Sequence, residues 1–277
     1  MRIAYFGGDW FSGCLDVWQA NGHTISHLFT DGEETYNGQI RQWAEAKGIQ
    51  HFNSKPSNSD MQQLLNDKVD LLFSVEYPWK IPCSDFPFKT INVHPSLLPH
   101  GRGPNPISWS LLKYPQHAGI SLHQLADAFD TGDIVYQEAV KLNTTQNFDD
   151  YLTLLETKIP ELVAHLCQNF DEMYNNAKPQ SGGSYWPKLT LNDRKISWQM
   201  TTDEITRIIR ATGKFGIVTI IEDQIHLVKD VKCQSGNVPY SPGTIFNEDA
   251  KYYYIAVSDG QCIVPKSGIL ESTKLKS

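Results

Sequence analysis

Apolar and polar residues change period repeatedly along the first half of the chain, and that change predicts its elements. A short apolar run at Arg2–Phe6 and a nearly continuous one at Asp70–Val75 read as strands, as do His23–Phe29 and the short Gln50–Asn53. Between them lie amphipathic stretches that read as helices: Gly13–Asn21, Tyr36–Lys47, and a third from Ser59 or Asp60 to Asn66. Ser12 is a candidate cap for the first, and Gly22 and Gly48 close the first two. Strands and helices alternating at this spacing predict a parallel sheet with helices on both faces.

The pattern continues through a strand at Thr90–Val93, a helix at Asn105–Lys113, and strands at Ala118–Leu125 and Ile134–Leu142. A long helix follows from Thr145 to Asn175, with Leu152, Leu155, Ile159, Leu162, Val163 and Leu166 at helical spacing. Pro160 falls inside it and is expected to kink or divide it. Ala177–Pro187, rich in Pro, Gly and Ser, reads as a linker. A helix at Thr201–Thr212, capped by Thr201 or Thr202 with Glu204 close behind, then gives way to β-rich runs. These are Gly216–Ile221, Ile225–Val231, Gly243–Phe246, Tyr252–Val257 and Gln261–Val264, with a hairpin signal at Asp259–Gly260. The expected fold is α/β: a Rossmann-like parallel-sheet domain over residues 1–180, then a linker and a smaller β-rich, barrel-like domain within residues 181–277. The Gly7–Gly13 segment, GGDWFSG, lacks GxGxxG spacing and reads as a tight strand-to-helix turn.

Charge and composition narrow the function. The 24 Lys and Arg against 31 Asp and Glu leave a net charge of −7 and no long basic run. That argues against a large nucleic-acid footprint, yet leaves room for a small anion held by a few cations. The five cysteines, without CxxC spacing, read as reduced thiols. No apolar run approaches the roughly 18 residues of a membrane span, and the N-terminus opens directly into a strand. A cytoplasmic protein with no membrane partner is expected.

The candidate chemistry gathers at the strand ends. Asn92 and His94 are at i and i+2 near the end of one strand, so both side chains leave the same side. Pro and Gly in the following SLLPHGRGP make a rigid loop. Asp130 lies in the polar loop after the strand at Ala118–Leu125. A neutral His is a general base, an Asn amide can donate to an oxyanion, and an acid nearby can fix the His. The same residues also fit a structural histidine, a turn-forming Asn and a capping Asp. His94, His100, His123, Asp130 and Asp133 match no metal-ligand motif, so no metal is expected.

The stretch Asn92-Val93-His94-Pro95-Ser96-Leu97-Leu98-Pro99, with Phe129-Asp130-Thr131-Gly132-Asp133 further on, closely resembles the signature of the folate-dependent formyltransferases. Arg102–Gly103 with Pro106–Ile107, and Tyr185–Leu189 through Ile196–Trp198, extend the resemblance over roughly residues 1–212. It implies N10-formyltetrahydrofolate as co-substrate, a primary amine as acceptor, and Asn92, His94 and Asp130 as the catalytic set. By the same analogy the pterin lies against Glu76–Ile81 and Leu125–Asp130, walled by Tyr77, Trp79, Ile81, Leu125 and Phe129.

The resemblance also frames the choice of amine. Family members acting on methionyl-tRNA carry a basic insertion after the second strand, where this chain has the short, acidic LFTDGEETYNGQIRQW. Members acting on glycinamide ribonucleotide resemble the first domain alone. A nucleotide-linked amino-deoxysugar, such as a dTDP-linked 3-amino- or 4-amino-dideoxyhexose of surface-glycan (lipopolysaccharide O-antigen) biosynthesis, fits best. Methionyl-tRNA and hydrolysis of the formyl donor are the alternatives. Lys188, Arg207 and Arg210 are candidates for the diphosphate, Tyr185 and Trp186 for the base, and Arg102, Gly103 and Trp109 for the sugar. Helix Arg residues are also commonly solvated and Trp residues commonly core. A homodimer is compatible with the sequence.

Overall fold

The structure, a computed structural model, describes residues 1–32 and 37–270. Tyr36, expected to open a helix, and the acidic Glu33 and Glu34 lie outside the described residues. The chain divides into two compact units. The first comprises Met1–Pro106, Gln116–Lys141 and Leu152–Trp186; the second comprises Ile107–Pro115, Leu142–Tyr151 and Pro187–Ser277.

Up to Trp186 the elements are β1 (Arg2–Gly7), α1 (Gly13–Ala20), β2 (Thr24–Phe29), α2 (Gly38–Ala46), β3 (Gln50–Phe52), α3 (Asn58–Asn66), β4 (Leu71–Val75), β5 (Lys89–His94), β6 (His100–Arg102), α4 (Pro106–Leu112), β7 (Gly119–His123), β8 (Ile134–Ala139), α5 (Phe148–Gln168), α6 (Phe170–Asn175) and β9 (Ser184–Tyr185). Seven strands form one sheet in the order β3-β2-β1-β4-β5-β7-β8. Pairing is parallel from β3 through β5. β7 pairs antiparallel with β5, and β8 is antiparallel to β7 because only the loop from Gln124 to Asp133 joins those two and a parallel return needs a longer crossover. All five residues of β4 are buried, as a strand covered on both faces requires. Strand order reverses between β1 and β4, and such a switch point opens a crevice at the strands' carboxyl ends.

Several boundaries differ from the sequence pattern for local reasons. Ser57 caps α3 two or three residues ahead of the expected start, completing a capping box with Asp60. Ser12 makes no cap; its hydroxyl donates instead to the Asp9 carbonyl (2.9 Å). Helix α5 runs through Pro160, and the division from α6 falls at Asn169. The Pro- and Gly-rich stretch read as a linker is tied to the first unit. Lys178 exchanges backbone bonds with Ile134 (2.8 and 2.9 Å), and β9 pairs with β6.

The second unit builds on α7 (Thr202–Thr212) and two antiparallel sheets. β10 (Ile217–Ile221), β11 (Gln224–Val228) and β16 (Ile269–Leu270) form one; β12 (Lys232–Ser235), β13 (Ile245–Glu248), β14 (Tyr252–Val257) and β15 (Gly260–Pro265) form the other. The run expected as Ile225–Val231 breaks near Asp230, whose φ is +59°. The two-residue turn Glu222–Asp223 has φ of +50° and +62°, a geometry that matches the twist of paired strands. Ile196, Ile205, Ile217, Ile221, Val228, Ile255 and Val264 share this unit's core.

Candidate active site

β5 carries Asn92 and His94, and its antiparallel register with β7 sets Asn92 opposite His123. A carbonyl only accepts, so the contact between His123 Nδ1 and the Gln124 carbonyl (2.7 Å) places the His123 proton on Nδ1. In the neutral ring its Nε2 accepts from the Asn92 amide Nδ2 (2.9 Å). That bond orients the Asn92 amide and uses one of its two hydrogens. His94 is 5% exposed, and its Nε2 donates to the Gly101 carbonyl (2.8 Å). The lone-pair nitrogen of His94 is thus Nδ1, 3.4 Å from Asp130 Oδ1. The same Oδ1 is 3.7 Å from His123 Nε2.

The loops make these positions rigid. Asp130 takes φ +58°, and Cβ added at Gly132 would meet the Gln124 carbonyl at 1.9 Å, so glycine alone fits there. Asp130 Oδ2 accepts from the Gly103 N–H (2.9 Å), and Gly103 (φ +119°) sits against the Trp186 carbonyl. The Ser96–Pro99 segment, with a cis Leu98–Pro99 bond, is pinned by the Ser121 hydroxyl. That hydroxyl donates to Ser96 O (2.6 Å) and accepts from Leu98 N (3.0 Å).

Electrostatics separate the two acid–base groups. Burial pushes His94 below the ordinary imidazole pKa; Asp130 and the Gly101 carbonyl pull the other way. His94 is therefore neutral near pH 7. Burial alone would raise the Asp130 carboxyl, but His94, His123 and the Gly103 N–H outweigh it and hold it at about 2. A neutral imidazole whose free lone pair faces an ionised carboxylate can accept a proton and keep it as an ion pair.

The structure brings Asn92, His94 and Asp130 together, and adds His123, which enters the sequence reading only in a set that matches no metal-ligand motif. Tyr77 and Leu125 pack on the cluster containing Ile81, Phe6 and Phe88, and Trp79 stands edge-on to Tyr77. Ser84 and Asp127 bond across the two loops that carry these residues (2.6 Å). Phe129 is 56% exposed. Of the acceptor candidates, Arg102 donates to Gln180, Trp186 is buried, and Tyr185 is 63% exposed. Trp109, Lys188, Arg207 and Arg210 belong to the second unit. Trp109 is buried and donates to the Pro187 carbonyl (2.8 Å); Lys188 and Arg207 are exposed. Arg210 spends its guanidinium on the carbonyls of Asn143, Thr144 and Gln146, which holds a loop rather than presenting a fork to phosphate. Among the described residues no His, Cys, Asp or Glu group could hold a metal, and no helix is long and apolar enough to cross a membrane.

The Formyl transferase family model matches residues 1–163, and the model of the formyl transferase C-terminal domain matches residues 188–274. The chain belongs to the formyl transferase family. A methionyl-tRNA formyltransferase from Pseudothermotoga lettingae is 30% identical, over 95% of this chain and 90% of its own. Another from Alkaliphilus oremlandii is 28% identical with the same coverage. Among solved structures, WlaRD, a sugar 3N-formyl transferase crystallised with dTDP and 5-N-formyl-THF, matches with TM-score 0.67, 19% identity and 98% and 97% coverage. An N-formyltransferase from Helicobacter canadensis, in complex with folinic acid and dTDP-3-aminofucose, matches with TM-score 0.67, 18% identity and 95% and 98% coverage. HypX from Aquifex aeolicus with tetrahydrofolic acid matches with TM-score 0.70 and 17% identity, over 95% of this chain. The chain spans less than half of HypX, 43% of its length. These structural likenesses establish the fold.

Proposed function

We propose that the protein moves a formyl group from N10-formyltetrahydrofolate to the primary amine of a nucleotide-linked amino-deoxysugar. The observation that carries the chemistry is the Asn92–His123–Asp130–His94 cluster. The neutral amine attacks the formyl carbon, and the carbonyl pair moves onto oxygen. The second Nδ2 hydrogen of Asn92 donates to that oxyanion, a contact worth roughly 3–4 kcal/mol when well placed. Nδ1 of His94 takes the amine proton, and Asp130 stabilises the imidazolium. Collapse re-forms the carbonyl, breaks the bond to N10 and returns the proton to that nitrogen. Tyr77, Trp79, Ile81, Leu125 and Phe129 wall the pterin in this reading.

The sugar acceptor is supported by the net charge of −7 and by two neighbours of similar length crystallised with dTDP or a dTDP-aminosugar. The methionyl-tRNA reading is favoured by the names of the curated relatives that span 95% of this chain. One experiment decides between them. The protein is incubated with the formyl donor and either a panel of nucleotide-linked aminosugars or methionyl-tRNA, and mass spectrometry looks for one added formyl group. Turnover of a sugar supports the proposal. Turnover of tRNA alone, falling steeply with moderate salt, overturns it. Formate release with no amine present identifies a hydrolase.

A further inference from the structure

The side-chain amide of Gln180 grips the loop that carries Asp130 from outside it. Gln180 Nε2 donates to the Asp130 carbonyl (2.9 Å) and to the Gly132 carbonyl (2.7 Å), gripping the backbone on both sides of Thr131. Its Oε1 accepts from Nε and Nη2 of Arg102 (3.0 and 2.8 Å). Arg102 is followed by Gly103, whose N–H donates to the Asp130 carboxylate (2.9 Å). The contacts therefore close a ring: guanidinium, Gln180 amide, Asp130 backbone, Asp130 carboxylate, Gly103 N–H, and back along the chain to Arg102.

Both ends of the ring need an amide. The two carbonyls require a donor, and the guanidinium fork requires an acceptor. Glutamate keeps the acceptor but sets a carboxylate against two carbonyls. Methionine keeps the length and supplies no donor. Asp130 itself takes φ +58°, a left-handed conformation that Asp tolerates, and the grip on its own and the Gly132 carbonyl holds it there.

We infer that Gln180, braced by Arg102, is a positioning residue for formyl transfer, fixing the loop that aims the Asp130 carboxylate at His94 Nδ1. The inference rests on the transfer chemistry of the cluster and not on which amine accepts. It makes Arg102 a brace for the acid.

The test reads His94 directly. His94 faces Asp130 and His123, with the Gly101 carbonyl on its other nitrogen. In the folded, substrate-free protein, its titration is followed by carbon NMR of the imidazole, alongside kcat and KM. Gln180→Met is expected to move the His94 midpoint to lower pH, because the carboxylate that raises it is no longer held in place. It is also expected to lower kcat about 10- to 100-fold, the scale for roughly 1 Å of misplacement, with a smaller effect on KM for the folate, whose proposed wall meets this loop at Phe129. Asp130→Asn moves the midpoint the same way, and adding Gln180→Met to it moves the midpoint no further. Arg102→Lys, which keeps the charge and loses the fork, gives the same shift in smaller degree and serves where Gln180→Met does not fold. An unmoved midpoint in folded Gln180→Met, whether or not kcat falls, overturns the inference, as does an equal shift in the Asp130→Asn background. Because the midpoint needs no acceptor, failure of every sugar to react leaves this result standing.

Discussion

Along β5, Thr90, Asn92 and His94 carry polar side chains that find partners in Leu125 N–H, His123 and Gly101 O. Along β10, the buried Ile217 and Ile221 are aliphatic and share a core with Ile205, Val228 and Val264. The two strands are comparably shielded from water but contribute different things. Burying an imidazole and an ionised carboxylate costs stability unless each is bonded, so such groups are concentrated where chemistry uses them. Burying an isoleucine stabilises the fold and leaves the chemistry untouched. Mutations in the two regions should therefore separate turnover from stability.

The largest effect is expected on the first side. Asn92→Ala, His94→Ala and Asp130→Ala should each lower kcat by about 10²- to 10⁴-fold, the range for losing an oxyanion donor or a general base. Each variant should remain folded at pH 7, with Asp130→Ala losing the stability that its ionised carboxylate contributes. Near wild-type turnover by a folded His94→Ala protein would remove His94 from the mechanism. On the second side, Ile205→Ala should destabilise by about 2–5 kcal/mol, read from denaturant midpoints. Turnover per folded molecule should be unchanged. A fall in kcat without a shift in midpoint would show that the core of the second unit tunes the chemistry.

How much of this contrast is legible in sequence depends on whether a residue's partner is local. The i, i+2 placement of Asn92 and His94 follows from strand period alone, as does the arrival of Asp130 in a loop after a strand. The capping boxes are local too, although Ser57 rather than Ser59 or Asp60 opens α3. His123 gains its role from the β5–β7 register, which no short stretch encodes. Gln180 lies 50 residues from Asp130 in a stretch whose composition says linker. The commitment of Arg210 to carbonyls of residues 143–146 is likewise visible only in three dimensions.

A smaller effect is expected from pH. Folding lowers the pKa of both His94 and Asp130, so each favours the deprotonated form in the folded state. Stability linked to His94 is then lost as pH falls below its ordinary value of about 6.5, and that linked to Asp130 only below about 4. Activity should follow the first alone: an acid limb below about pH 6.5 and none from Asp130 above pH 4. A kcat limb well above pH 7 would show that His94 is charged at rest and cannot act as the base.

The smallest prediction uses one device that occurs in both units. Ser57 and Asp60 form a capping box on α3, and Thr201 and Glu204 form another on α7. In each, the hydroxyl accepts from the third backbone N–H of its helix (3.3 and 3.2 Å), and the acid accepts from the cap N–H (2.7 and 2.8 Å). Ser57→Ala and Thr201→Ala should each cost about 1 kcal/mol, with kcat unchanged. Where those losses appear is the sharper reading. If the two units melt as one cooperative block, both variants shift a single calorimetric transition by similar amounts. If they melt separately, Ser57→Ala lowers only the transition that abolishes activity, and Thr201→Ala only the other. Polar burial at the β5 edge would then be supported by its own unit's packing, without help from the apolar core around α7.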